Sequence, residues 1–514
     1  MPQTRRPDQT DAAGATLARR GAPPIGFGPP RPGPSAENRG RLVLQALSMQ
    51  IELIATASED SAYLPRLGLG VLAALTPPED EIIYTDDLVR PFDVERDVKD
   101  VDLVGISVDS KTARRSYDIA AAYRARGVKV VLGGIHPTAV PEEALEHADA
   151  VVLSEAEDLW PALLDDFKRG ALKPIYKGAL PDLGGKPMPR RDLFRSKKYI
   201  PFQVVQTMRG CPYPCEFCSV STANGTTMRF RPASEVIAEL RTLGKFIMFG
   251  DDNVMIHRKY SEDLFTRMAD LDKHWIGQCS LAAVKRLENV KLMAKSGCKA
   301  LFIGFESIDE ETVRFTGKRQ NRPSQYREVM QMLHEHGIST WGSFVFGFDT
   351  DDPEVFDRTV EFGIEMKLTM ALYAILTPYP GTQLYRRLKA QNRLTDPKWW
   401  LGRDHDAGSP YFLPQKMSRE TLREGWVRAW KRFYSPRSIW SRWTLTKNSS
   451  WIQTLGFFPL NMMQNRLAQH KIAAGMQRFR TTGFRDPDLS SLGTSAPTHA
   501  EERARDPRRL RVVE

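Results

Sequence analysis

Short apolar runs alternate with amphipathic stretches along most of this 514-residue chain, and that rhythm restricts the fold more than any other feature. "LVGIS" (103–107) is followed by the amphipathic "ARRSYDIAAAYRARG" (113–127) and then by "VKVVLGG" (128–134). A short helix near 141–147 leads to "ADAVVLSE" (148–155) and a further helix from about 157. Strand, helix, strand in this order requires a parallel sheet, because parallel neighbours need a crossover connection. The first part is therefore expected to be an open, doubly wound α/β sheet, which takes ligands at the carboxyl ends of its strands.

The alternation continues from about 200 to 385. Candidate strands are "FQVVQT" (202–207), "FIMFG" (246–250), "WIGQCSL" (275–281), "ALFIGFES" (300–307), "TWGSFVFGF" (340–348) and "ALYAILTP" (371–378). Helical patterns lie between them; "SEVIAELRTLG" (234–244) puts Val236, Ile237, Leu240 and Leu243 on one face, with Gly244 at the stop. Six consecutive units predict an incomplete (β/α)6 barrel rather than the full eight, with chemistry on loops at the carboxyl ends of the strands.

Residues 1–40 are rich in Pro, Gly and Arg without periodicity and are expected to be a disordered arm, as is the tail 484–514. Between them the expected divisions are 41–185, 195–400 and a helical extension, 401–483. No run approaches the ~20 apolar residues that span a bilayer, and no apolar segment follows the first arginines as in a secretory signal. Five cysteines do not read as a disulfide framework, so a reducing cytoplasm is expected. The net charge of +10 invites a nucleic-acid reading, yet much of it lies in the two ends and between Lys416 and Lys447. No nucleic-acid partner is expected.

"RGCPYPCEFCSV" (209–220) holds three of the five cysteines, Cys211, Cys215 and Cys218, in the spacing C-x3-C-x2-C directly after the first strand of the second region. Pro212 and Pro214 oppose a regular helix by removing donors and fixing φ, so an irregular loop is expected. Structural zinc takes four ligands, commonly as paired C-x2-C units, and no second pair with that spacing exists here. Three thiols beside Arg209 and Glu216 make a poor core. Thiolate ligation of an iron–sulfur cluster fits better, with one iron left open.

This stretch resembles the signature of the radical S-adenosylmethionine (SAM) superfamily, which has an aromatic residue, here Phe217, before the last cysteine. The resemblance extends over all six strands. It implies that Cys211, Cys215 and Cys218 hold a [4Fe–4S] cluster whose open iron chelates SAM, which one electron cleaves to methionine and a 5′-deoxyadenosyl radical. It also implies that Phe217 lies beside the adenine. At the end of the second strand, "FGDDN" (249–253) stands where relatives carry a Gly-Gly-Glu-like segment, so Gly250, Asp251 and Asp252 are candidate contacts to the methionine ammonium. "GFES" (304–307) places Glu306 and Ser307 as candidate contacts to ribose or carboxylate. "VFGF" (345–348) and "TPYPGT" (377–382) match the ends of the last two strands. Cys279 and Cys298 read as small buried hydrophobes.

A doubly wound domain in front of such a barrel resembles the cobalamin (B12)-binding subfamily. The expected fold is thus a Rossmann-like B12-binding domain, a partial TIM-type radical SAM barrel and a helical extension. "VGISVDS" (104–110), "GGIHPT" (133–138) and "LSEAED" (153–158) match the subfamily's strand-end loops. Candidate cobalamin contacts are Ser107, Gly133, Gly134, His136, Thr138, Ser154 and Glu155. "DKHWIG", with Asp272, His274 and Gly277, has the pattern of a cobalt-ligand motif but leads into a barrel strand and is read as a chance match.

"MSRETLREGWVRAWKRFYSPRSIWSRW" (417–443) interleaves arginines with Trp426, Trp430, Phe433, Tyr434, Trp440 and Trp443. Helical spacing of Trp426, Trp430 and Phe433 predicts a helix packing over the open side of the barrel; the alternative is a membrane-interfacial patch. The resemblance extends to radical SAM proteins that act on lipids, hopanoids and tetrapyrroles. The expected activity is methylation of a hydrophobic small-molecule intermediate, with flavodoxin or ferredoxin as electron donor. The alternatives are a cyclase or oxidoreductase with the same two domains, and a non-catalytic metal-cluster protein.

Overall fold

The computed structural model describes residues 48–482 apart from 59–60, 62, 196–197, 319, 403–407 and 444–450, so the expected arm 1–40 and tail 484–514 lie outside the described residues. Its first sheet contains β1 (Gln50–Ala55), β2 (Glu81–Asp86), β3 (Leu103–Ser107), β4 (Lys129–Gly133), β5 (Ala150–Leu153) and β6 (Ile175–Lys177), all parallel, in the order β2-β1-β3-β4-β5-β6. β3 and β4 read as unbroken apolar runs because helices cover both of their faces. β1 is harder to see in sequence because Glu52 interrupts it. That carboxylate is fully buried and accepts hydrogen bonds from Thr85, Lys99 and Tyr123, which makes its burial tolerable. The strand order reverses between β1 and β3, and a crevice opens at such a point beyond the carboxyl ends.

A two-stranded antiparallel ribbon, β8 (Met208–Arg209) and β9 (Arg229–Phe230), follows β7 (Gln203–Val205) and brackets the cysteine loop. β7 belongs to the second sheet with β10 (Phe246–Phe249), β11 (His274–Cys279), β12 (Cys298–Glu306), β13 (Ser339–Phe346) and β14 (Met370–Ile375), in the order β14-β13-β12-β11-β10-β7. All neighbours are parallel, and β7 and β14 remain edges, so the barrel is open as its six units predict. Alternation separates the two faces. Phe305 packs on Tyr326, Phe344 on Phe362 and Tyr373 on Phe433, which puts these residues against the surrounding helices. Their neighbours Phe302, Gly304, Glu306, Trp341, Ser343 and Leu372 therefore point to the inner face.

Gly244 does not end its helix in a left-handed turn. The cap is Leu243 in extended conformation, and the Gly244 amide donates to Gln203 Oε1 at 2.6 Å. The aromatic helix Arg419–Phe433 lies on the outer face of β14 instead of closing the open side. Both indole N–H groups, Trp426 at 2.8 Å and Trp430 at 3.0 Å, donate to the Tyr373 carbonyl. Trp399 and Trp400, just past the barrel, are buried in the core of the first sheet. Among the described residues, no helix is long and apolar enough to cross a membrane.

Candidate active site

The cysteine loop is irregular, as its prolines dictate, and ends in the short helix Val220–Asn224. Glu216, between Cys215 and Cys218, anchors it. That buried carboxylate receives Arg387 through Nε at 3.2 Å and Nη2 at 2.8 Å. Arg387 also donates to Asp349 at 2.6 Å, which receives Arg393 at 2.7 Å. Backbone bonds complete the anchor, from the Glu216 amide to Thr316 O at 3.2 Å and from Leu384 N to Glu216 O at 2.9 Å. The three thiols are half-buried and close enough to disfavour one another's ionisation. Burial is the larger cause, pushing Cys215 up to about 11 and Cys218 up to about 12. Among the described residues, no three His, Cys, Asp or Glu side chains are placed to hold a single ion. Thiolates on one tetrahedral zinc would sit about 3.8 Å apart, whereas ligands of separate irons in a cluster stand farther apart.

Sequence reasoning missed Lys318, which is buried beside Cys215 and Cys218 and paired with Glu306. Burial opposes its charge, but Glu306 and the neighbouring thiols hold it above the ordinary lysine value. Glu306 reaches it from a left-handed backbone (φ 62°) at a register shift in β12. A side chain on Gly304 would approach Lys318 Nζ to 2.6 Å and collide with the Glu306 carboxylate, so this pair requires glycine there. A lysine twelve residues beyond a strand-end glutamate carries no sequence signal of its own.

The two aspartates after β10 differ. Asp251 is buried and accepts from Thr207 N at 2.6 Å, Thr207 Oγ1 at 2.6 Å and Met208 N at 3.1 Å, so it anchors the backbone after β7. Asp252 is half-buried and near enough to Cys211 and Cys218 to raise both thiols. Phe217 packs 5.8 Å from Phe348, and Gly250 is exposed at the end of β10. Ser307 is buried and its hydroxyl accepts from Asp309 N at 3.1 Å, capping the turn after β12.

Two cavities open at the carboxyl end of the first sheet. The larger, about 580 Å3, is lined by Thr56, Arg66, Asp109, Met248, Gly250 and Tyr379. The other, about 370 Å3, runs down between strands past Gly105, Ser107, Gly133, Gly134, Ser154 and Glu155. Arg66, shared by both, pairs with Asp109 at 2.8 Å; neither was singled out in sequence. His136 lines neither cavity. Its ring is fully buried between Ser110 Oγ (3.1 Å), Tyr117 OH (3.1 Å) and Glu143, as a structural group. Thr138 is occupied as well, donating to Gly134 O at 2.7 Å and receiving Ser154 N at 2.7 Å. Glu155 lines the narrow cavity, but both its oxygens are bound, by Arg209 (2.7 Å) and by Arg229 of the ribbon beside the cysteines. Ser154 likewise donates to Ala223 O at 3.0 Å, so the loop after β5 grips the cysteine segment. His274 sits at the opposite, entry end of β11, in keeping with a chance motif.

Family models match both parts of this arrangement: the Radical SAM superfamily over residues 205–363 and a B12 binding domain over 55–164. A domain of unknown function, DUF4070, matches 382–470. The bacteriochlorophyllide d C-12(1)-methyltransferase of Chlorobaculum tepidum is 30% identical over 407 residues, covering 76% of this chain and 87% of that protein. The chain belongs to the radical SAM superfamily, in its B12-binding branch. The hopanoid C-2 methylase of Rhodopseudomonas palustris is 24% identical, covering 74% of this chain and 73% of its own length. Among solved structures, the radical SAM methyltransferase TsrM from Kitasatospora setae superposes with a TM-score of 0.59 at 15% identity, covering 84% of this chain and all of that one. OxsB gives 0.60 at 14%, over 82% and 72%; both show the fold. Membership gives this radical SAM enzyme a [4Fe–4S] cluster, SAM and cobalamin as cofactors.

The residues present fit those groups. Three thiols beside the Glu306–Lys318 pair form a soft donor set. In the narrow cavity, any side chain on Gly105 would fill the crevice, touching Leu53 at 3.0 Å and Trp160 at 3.5 Å. Gly134 has φ 109°, and a Cβ there would meet Val108 O at 2.7 Å, so only glycine passes this turn.

Proposed function

We propose that this enzyme methylates an unactivated carbon of a hydrophobic small-molecule intermediate of the lipid, hopanoid or tetrapyrrole kind. One observation carries the reading: both cavities of the front sheet end on Gly250, at the tip of the barrel strand whose next residues neighbour the cysteine loop. Methyl carrier and radical source would thus share one chamber. Methyltransferases of bacteriochlorophyllide and hopanoids among the relatives support it. When bound, the cluster supplies the electron that cleaves SAM, and cobalamin supplies the carrier of the methyl group.

Cys211, Cys215 and Cys218 hold the cluster, with Glu216 and Arg387 fixing the loop. Asp252 takes the SAM ammonium, and Lys318 offers a cation that Glu306 keeps charged. Phe217 and Gly250 border the same space. Ser107, Gly133, Gly134 and Ser154 line the crevice that would hold cobalamin. The divisions 41–185, 195–400 and 401–483 serve as cobalamin domain, radical domain and helical extension, in a cytoplasmic enzyme reduced by flavodoxin or ferredoxin. Exposed Trp440, Leu455, Met462, Met463 and Leu467 give the extension a surface for peripheral membrane contact.

Anaerobic turnover with reductant and a candidate substrate tests this reading. Formation of S-adenosylhomocysteine together with 5′-deoxyadenosine is expected. Deoxyadenosine alone would replace methylation by cyclisation or oxidation, and neither product would end the enzymatic reading.

A further inference from the structure

Resting on the peripheral contact proposed above, we infer that the helix Trp451–Thr482 lies along an anionic phospholipid surface, with its outer face among the headgroups. The helix is inside out for a protein in water. Its inner face holds Phe457, Asn461, Ala468 and Ile472, all buried. Asn461 accepts from Arg442 at 3.0 Å, and Asn465 donates to Tyr434 O at 2.9 Å, which fixes the helix on the two that precede it. The outer face, where a solvated helix carries its charged residues, holds Leu455 (68% exposed), Pro459, Met462 (53%), Met463 (48%) and Leu467 (45%). Helical spacing joins these five positions into one stripe. Trp440, 67% exposed, extends its edge through Phe458 at 5.9 Å. A contiguous apolar stripe of this kind marks an interaction surface.

Charge selects the occupant. From Gly425 to Arg485 the sequence has eleven Lys or Arg and no Asp or Glu. Arg466 is exposed on the stripe itself, and Arg437 is exposed one turn before Trp440. On the neighbouring helix Val355–Glu365, Asp357 and Glu361 are both taken by Arg432. A second copy of this chain would set the same cations against one another. The first 47 residues carry seven Arg against three acids and would be repelled, while residues 483–514 balance six against six. An acidic electron-donor protein must approach the cysteine loop, whereas the helix Arg419–Phe433 and β14 stand between the stripe and the barrel interior. Apolar side chains among cations, in a stretch without acids, match anionic headgroups over acyl chains. Among the described residues no helix is long and apolar enough to cross a membrane, so this one lies on the surface. Such a seat brings the enzyme to a substrate dissolved in the bilayer.

Co-sedimentation of the full-length, cofactor-loaded enzyme with extruded vesicles tests this. Phosphatidylcholine vesicles are compared with vesicles of equal parts phosphatidylcholine and phosphatidylglycerol. Saturable binding is expected, at least about tenfold tighter on the anionic vesicles and weakened by salt. Leu455→Glu/Met463→Glu should bind them at least about tenfold more weakly. Arg437→Gln/Arg466→Gln should lose at least about tenfold on anionic vesicles and little on neutral ones. All four side chains are exposed, so release of 5′-deoxyadenosine from SAM in vesicle-free buffer should stay at the wild-type rate, which shows that the variants are folded. Equal binding to both vesicle types, or wild-type binding by Leu455→Glu/Met463→Glu, would overturn the inference. So would a wild-type dimer that the same variant abolishes, because a second copy would then occupy the stripe. Binding to neither vesicle would end the membrane contact itself, and because vesicle binding is read without turnover, it is judged apart from methyl transfer.

Discussion

Asp251 and Asp252 are adjacent in sequence and opposite in use. Burial pushes Asp251 up to about 6 even though Thr207 and Met208 donate to it. Its folded-state value lies above the ordinary carboxylate range, so the folded protein binds the proton more tightly than the unfolded chain. Its contribution is fully present below about pH 4, is lost as pH rises to about 6 and is constant beyond. Asp251→Asn presents an amide to three donors and should cost about 1–3 kcal/mol. It should also flatten the pH dependence, read from urea unfolding between pH 4 and 8. Asp252→Asn should leave stability within about 0.5 kcal/mol but weaken SAM binding, read as loss of the SAM-induced change in the cluster EPR signal. If the two variants exchanged phenotypes, the assignment of Asp252 to the ligand would be wrong.

At the scale of elements, the cysteine loop owes its shape to charges outside it. Replacing Arg387 by Ala leaves Glu216 and Asp349 buried with fewer partners, and breaking such a pair typically costs about 3–5 kcal/mol. Arg387→Ala should therefore lower iron content after reconstitution as well as the melting temperature. Arg387→Lys, unable to fork between Glu216 and Asp349, should fall between; full iron loading in both variants would show that the loop holds itself. Sequence made the strands and the thiols legible because apolar periodicity and C-x3-C-x2-C are local signals. It hid β1, where Glu52 breaks the apolar run, and it hid the partners of the loop. Arg387 lies 171 residues from Glu216, and nothing local marks them as a pair. The partners of His136 and Glu155 were hidden for the same reason, since a strand-end position does not reveal that His136 meets Ser110 and Tyr117 or that Glu155, while lining the narrow cavity, pairs with Arg209 and Arg229.

For the whole molecule, the question is whether the two sheets unfold together. Arg209 reaches Glu155 and Glu157 across the boundary, and Trp400, from beyond the barrel, donates to Glu143 of the front domain at 2.7 Å. Trp400 is nearly fully buried among front-domain residues, so Trp400→Ala should cost about 3–5 kcal/mol. Because it belongs to the chain segment of one domain and the core of the other, the loss should lower a single cooperative transition. Glu143 adds a pH signature. Burial opposes its charge, but His136, Trp400 and Lys398 outweigh burial and hold the carboxyl down to about 2. A depressed acid contributes stability above its unfolded value, near 4.5, and loses it as pH falls toward 2. Glu143→Gln should therefore be destabilised at neutral pH and lose less on acidification than the wild type, measured by thermal melts from pH 7 to 3. Near-ultraviolet circular dichroism and corrin absorbance, followed together, should report one midpoint in the wild type and a lower shared one in Trp400→Ala. Two separated midpoints in the variant, with the barrel's unmoved, would mean that the tryptophan merely fills the front core and does not couple the sheets.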